Sequence, residues 1–266
     1  MGSKEKVLGK KKTNTQPNAI LNPENNKLVV SKNEIKAVTL KYCKDTLENN
    51  QPHPKYQKEI NMKRKNVEDK LSKENCDFII NQDTFDGIIS KFKKSRKKSY
   101  DFLIKAGSLF QSVVFKFCQV MFQDEVFPEQ FNNTTLHMIF KGGKGRREKL
   151  TNNRFIHSKS WLPRTAEALC VEEGMKWPLI EKSSIYQIGG QPGHRYEEHV
   201  FILKSVTAKY RSEGKQIIIQ SSDLEKFFDK EMLEDAVLTC IKRGANTKAC
   251  RLWYNLNRNT KIGVRT

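Results

Sequence analysis

The stretch Gln216-Ile217-Ile218-Ile219-Gln220-Ser221-Ser222-Asp223-Leu224-Glu225-Lys226-Phe227-Phe228-Asp229 governs the reading of the whole chain. Three consecutive isoleucines predict a buried strand, because a strand covered on both faces reads as an unbroken apolar run. That strand would carry one carboxylate, Asp223, to its end. Burying a carboxylate costs several kcal/mol unless it is paired or holds a metal. Two uses fit Asp223: capping a helix that starts near Lys226, and binding a metal ion.

Composition narrows the partners. The chain has 266 residues, enough for one large domain or two small ones. Its 37% hydrophobic and 30% charged content allows a core but implies that part of the chain stays solvated. A net charge of +19 lies well beyond the magnitude of roughly 2–8 usual for a small soluble domain. It favours a polyanionic partner, nucleic acid before membrane. No apolar run approaches the roughly 20 residues that a membrane-spanning helix needs, so no membrane partner is expected. The six cysteines form no C-x-x-C pair and have no histidine at zinc spacing. With a polar, basic N-terminus and no secretory signal, this pattern predicts a reducing intracellular compartment.

Residues 1–55 have the composition of a tail, with Lys10-Lys11-Lys12, an Asn- and Pro-bearing stretch, and apolar islands at Leu28-Val29-Val30 and Val38-Thr39-Leu40. Lys55 to Lys73 is a charged amphipathic helix candidate with Ile60, Val67 and Leu71 at loose helical spacing. This arm is either a basic strap on nucleic acid or a solvated linker. The folded part is expected from about Phe78. Asp83 is placed to cap a helix through Phe85, Ile88, Ile89 and Phe92. Six basic residues in the eight from Lys91 to Lys98 follow, a solvated face or a phosphate track. Leu109, Phe110, Val113, Val114, Phe117, Val120 and Met121 then recur at helical spacing and predict a core helix that stops before Phe127-Pro128.

Leu136-His137-Met138-Ile139-Phe140 and Arg154-Phe155-Ile156-His157 read as two strands around the basic, glycine-bearing turn from Lys141 to Lys149. This is a hairpin with a cationic tip. It is no P-loop, since G-x-x-x-x-G-K-[ST] is absent and a strand follows instead of a helix. Glycines let the backbone approach an anion, and Lys141, Lys144, Arg146 and Arg147 can neutralise phosphate. A hairpin that is basic only for solubility fits the same residues. Trp161 to Met175 predicts a helix ended by Gly174 and Pro178. Tyr186 to Arg195 is a loop by composition, followed by a helix through Val200, Phe201, Leu203, Lys204, Val206 and Thr207. Lys230 to Arg243 predicts another helix, ended by Gly244, then a short helix over 249–256 and a strand starting at Ile262.

Several of these segments, taken in order, resemble the reverse transcriptases of non-LTR retrotransposons and group II introns. Asp223-Leu224-Glu225-Lys226-Phe227-Phe228 is similar to their first palm motif, Asp-x-x-x-x-aromatic. Lys141 with Gly142 and Gly143 resembles the fingers Lys-x-Gly element. Asn153-Arg154-Phe155-Ile156 stands where the family has Tyr-Arg-Pro-Ile, with Asn and Phe replacing Tyr and Pro. Gln187-Ile188-Gly189 resembles a template-side Gln-x-Gly-aromatic segment in which Gly190 replaces the aromatic.

The resemblance implies an α+β fold of right-hand polymerase type: a basic arm over 1–77, then fingers and an incomplete palm over 78–266. It implies template-directed DNA synthesis by two-metal phosphoryl transfer. Asp223 would be the catalytic carboxylate and a ligand of Mg2+ or Mn2+. Lys141 and Arg154 would hold the triphosphate of a deoxynucleoside triphosphate, with Phe228 under its sugar. Lys144, Arg146, Arg147, Gln187 and Arg195 would contact the RNA template and DNA primer. The family's downstream aromatic-x-Asp-Asp pair has no counterpart, since no Asp-Asp occurs anywhere in the sequence. The resemblance therefore implies a truncated chain, inactive alone, with the nucleus favoured over the cytoplasm. The competing class is a noncatalytic, basic nucleic-acid-binding protein.

Overall fold

The computed structural model describes residues 17–48, 54–73, 77–95, 100–142, 145–181, 184, 186–187, 189, 191, 193–223, 232–258 and 260–264. The fold is α+β, and the chain divides into two compact units. The first takes residues 1–51, 129–160 and 260–266, and the second takes 52–128 and 161–259.

The first unit is built on a three-stranded sheet. Strands β1 (Ile20–Leu21) and β2 (Leu28–Val29) form a small antiparallel pair ahead of helix α1 (Lys32–Glu48). Strand β3 (Asn133–Phe140) is central in the main sheet, antiparallel to β4 (Asn153–Lys159) and parallel to β5 (Lys261–Val264). Alternation along β3 sends Thr134, Leu136 and Met138 inward. Met138 shares a core with Ile20, Ile35 and Leu150, against which Val29, Val38, Tyr42 and Phe155 pack. Ile35, Val38, Thr39 and Tyr42 lie at i, i+3, i+4 and i+7, so one face of α1 supplies most of this cover. Thr39 Oγ1 donates to Met138 Sδ at 3.8 Å, and the rings of Tyr42 and Phe155 lie 5.6 Å apart. Residues 17–48, tail-like by composition, thus line the buried face of the hairpin. Val29 of one island and Val38 and Thr39 of the other pack on a cluster that includes Met138, about 100 residues away, which no local reading displays; Leu28 and Val30 stay exposed.

The second unit is helical: α2 (Pro54–Lys73), α3 (Gln82–Ser95), α4 (Asp101–Lys105), α5 (Gly107–Asp124), α6 (Trp161–Cys170), α7 (Lys176–Glu181), α8 (Tyr196–Ser212), α9 (Leu233–Lys242) and α10 (Thr247–Asn257). Its core joins Val67 and Leu71 of α2 to Val237 and Cys240 of α9 and to Ala249, Cys250 and Tyr254 of α10. Arg251 ties three elements together. It grips Glu125 with two bonds, Nε to Oε2 at 2.7 Å and Nη2 to Oε1 at 2.5 Å, and its Nη1 donates to the Leu71 carbonyl. Cys118, Cys170, Cys240 and Cys250 are buried. Burial pushes the Cys118 thiol up to about 12, so it acts as a small apolar filler.

Four expectations change. Ile217, Ile218 and Ile219 form no strand. They lie in an unpaired segment, and Ile218 is 96% exposed. A strand needs a neighbour for its ladder, and among the described residues none lies beside this one. Helix α5 buries Val114, Phe115, Cys118, Met121 and Phe122, while Leu109, Val113 and Val120 face outward. The helix is apolar on more than one side, and aromatic partners choose between them, Phe85 meeting Phe115 at 5.3 Å and Phe78 meeting Phe122 at 5.9 Å. The cap of α3 is Asn81, whose Oδ1 accepts from Asp83 N–H at 2.9 Å; Asp83 itself sits in the first turn.

Gly174 is the fourth. It ends no helix but lies in a π-helical turn, Val171–Met175, that joins α6 to α7. A Cβ there would come within 2.2 Å of Ala249 Cβ and 3.0 Å of the Phe78 ring, so α10 approaches the turn only because the side chain is missing. By contrast Gly244 (φ 86°) follows α9 as expected, in the left-handed conformation that closes a helix. Gly174→Ala should destabilise the protein by about 1–3 kcal/mol through overpacking. Urea unfolding followed by circular dichroism measures this, and an unchanged midpoint would refute the close approach.

Candidate nucleic-acid interface: the basic hairpin

Register decides which side chains of the hairpin can act together. Ile139 pairs with Arg154 and Phe140 with Asn153, and the Lys141 N–H continues the ladder by donating to Asn152 O at 2.9 Å. Side chains alternate along each strand, and paired residues share a face. Met138 and Phe155 therefore face the core. Lys141, Ile139, Arg154 and Ile156 share the opposite, solvent face. Lys141 and Arg154 are diagonal neighbours on it, both exposed, and neither pairs with a carboxylate among the described residues. Lys141 Nζ donates to Thr151 O at 2.8 Å, which steadies the side chain without cancelling its charge.

Two asparagines shape the loop that follows. Asn152 Nδ2 donates to Arg146 O at 2.8 Å. Asn153, 4% exposed, donates from Nδ2 to Arg147 O at 3.0 Å and to Lys149 O at 2.8 Å. Gly145 lies so close to Asn152 that a Cβ would meet Nδ2 at 2.7 Å. From the other side Leu21 N–H donates to Glu148 O at 2.9 Å. Arg146 is left exposed and Arg147 half-buried on a braced loop. The sequence reading gave Asn152 and Asn153 no bracing role. The signal was present, because Thr151-Asn152-Asn153 beside a glycine-bearing stretch is turn chemistry. The role of Leu21 had no local signal.

The remaining candidates lie in the second unit or outside the described residues. Gln187 is exposed, its Nε2 donating to Gly189 O at 3.3 Å. Arg195 is exposed ahead of α8, and its N–H donates to Glu198 Oε1 at 3.0 Å. His194 Nδ1 meets the other oxygen of Glu198 at 2.9 Å, and these bonds hold the Glu198 carboxyl below its ordinary range. Asp223 is exposed at the end of the unpaired isoleucine segment, so it is not presented by a strand. Lys144 and Phe228 lie outside the described residues, as do Arg96, Lys97 and Lys98 of the basic run. Among the described residues no group of three or more His, Cys, Asp or Glu could hold a metal ion. Nor is any helix among them long and apolar enough to cross a membrane. The structure therefore gathers Lys141, Arg146, Arg147 and Arg154 on one hairpin and, among the described residues, places Asp223 in no metal-binding group of three or more.

The loop's shape should depend on Asn153. Asn153→Ala removes two part-buried hydrogen bonds and takes its side-chain donor from the Arg147 carbonyl, while the Lys149 carbonyl keeps the Asn152 N–H, at a cost of about 1–3 kcal/mol. Amide exchange across 146–149 should quicken. Unchanged protection there would mean that Asn153 does not brace the loop. No family model matches the sequence, and no curated protein matches it.

Proposed function

We propose that this chain carries the fingers and first palm motif of a retroelement reverse transcriptase, and that the β3–β4 hairpin is its phosphate grip. The supporting observation is the register that sets Lys141 and Arg154 side by side on the solvent face of the hairpin. Two cations a strand apart suit a polyphosphate, because each charge-assisted bond to phosphate is about twice as strong as a neutral one. In this reading Lys141 and Arg154 take the triphosphate of an incoming deoxynucleotide. Phe228 lies beneath its sugar. Lys144, Arg146, Arg147, Gln187 and Arg195 contact the RNA template and DNA primer. Mg2+ or Mn2+ would supply charge stabilisation at the transferred phosphoryl group, with Asp223 as one ligand. The described residues form no group of three or more metal-ligating side chains around Asp223, so no step of synthesis is routed through them. A nuclear location suits this reading.

A second reading rests on the exposure of Asp223 and its lack of a strand. The chain would then be a noncatalytic nucleic-acid-binding protein that uses the same hairpin for backbone phosphates.

One titration separates the two. Labelled single-stranded RNA should bind with an affinity that falls steeply with salt, and Lys141→Ala with Arg154→Ala should reduce the slope by about 1.4. If the hairpin takes triphosphate, a deoxynucleoside triphosphate competes for it, and the double variant abolishes the competition. Salt-dependent RNA binding without competition supports the second reading. RNA binding indifferent to both substitutions refutes the second reading, and triphosphate binding that is absent or indifferent to them refutes the first. Asp223→Ala should abolish site-specific Mn2+ binding, read by electron paramagnetic resonance, if Asp223 is a metal ligand. An unchanged Mn2+ signal would remove that role.

A further inference from the structure

Helix α8 is 17 residues long, about 25 Å, and buries none of them. Yet it is not a polar helix. Tyr196, Val200, Phe201, Ile202, Leu203, Val206 and Tyr210 are all exposed. Tyr196, Val200, Leu203, Thr207 and Tyr210 recur at alternating spacings of four and three, the pattern of a helix-pairing seam. A helix apolar along one such stripe gains nothing from water on that side.

Charge tells what would cover it. The positions flanking the seam on one side are Glu197, Lys204 and Arg211, and on the other His199, Val206 and Glu213. A parallel partner of the same sequence sets His199 against Lys204 and Val206 against Arg211, with no ion pair. An antiparallel copy, with the two-fold axis midway between Leu203 and Thr207, sets Glu197 against Arg211 of the second copy, twice. His199 then faces Glu213, which Lys215 already holds at 2.6 Å within its own chain. Only Lys204 meets its like. In that register the seam layers are Leu203 on Thr207 and Val200 on Tyr210, each made twice. Acids early and bases late in a helix also suit its dipole, but the dipole accounts for no apolar stripe.

We propose that α8 is a self-association surface, pairing antiparallel with α8 of a second copy of this chain through the Tyr196–Val200–Leu203–Thr207–Tyr210 seam. The contact is isologous and closes at two. About two heptads make a small interface, so the dimer is a weak one.

Sedimentation of the nuclease-treated full chain, up to about 0.1 mM and at roughly physiological salt, tests this. The expected result is a concentration-dependent monomer–dimer equilibrium. Leu203→Glu should raise the dissociation constant about tenfold or more. Glu197→Lys and Arg211→Glu should each weaken association, while a mixture of the two single variants should pair, because both contacts between positions 197 and 211 are then opposite in sign. A monomer throughout, a dimer indifferent to Leu203→Glu, or a mixture no better than its components would overturn the proposal. So would loss of the folded circular dichroism signal in Leu203→Glu, which would place this face inside the chain.

Discussion

Strand β3 has a ladder partner on each edge, and the first unit depends on that. On one side β4 follows after a short basic loop. On the other, β5 arrives from more than 120 residues downstream and pairs in parallel, Asn133 with Lys261 through Leu136 with Val264. With the β4 edge paired along its length and the β5 edge paired over Asn133–Leu136, β3 presents one face to Ile20, Ile35 and Leu150 and leaves the other half-exposed. The solvent face then inherits whatever the pleat assigns to it, here Ile139 and Ile156 with Lys141 and Arg154 near the tip. The proposed phosphate grip is thus a consequence of register: a slip of one residue would send Arg154 to the core face.

The second unit is organised by approach distances between helices. Gly174 lets the turn after α6 touch α10 at Ala249, and the Gly174 carbonyl accepts from Asn246 N–H at 2.8 Å, just where Asn246 also caps α10 through its side chain. One missing Cβ and one cap therefore set the position of α10. The Arg251 fork then joins that helix to the ends of α2 and α5. Arg suits this duty because its planar guanidinium satisfies a carboxylate with two bonds and still has a donor left for a carbonyl.

Cationic and acidic features stand apart in how much support they have. The cations on the hairpin are fixed by a ladder, by two asparagines and by a packed N-terminal segment. Asp223 lies on a segment with no pairing strand and belongs to no group of three or more metal-ligating side chains among the described residues. A metal site requires several ligands held at once, whereas a phosphate grip can be made by two cations on a stiff hairpin. This is why the proposed phosphate binding draws on more of the geometry than the proposed synthesis does.

Much of this was legible in the chain itself. Hydrophobic period marked the hairpin strands, α3, α6 and α9, because a 2.0 or 3.6 repeat is a local property. The cationic tip and the closing role of Gly244 were equally readable, since turn and cap chemistry is written within a few residues. The tertiary structure decided the rest. Ile217 to Ile219 are apolar enough for a strand, but a strand exists only beside another, and no local pattern supplies the neighbour. Helix α5 carries two apolar faces, and Phe78 and Phe85 choose which is buried. Gly174 has the identity of a helix stop, yet its work is a contact with a residue 75 positions away, which only packing could reveal.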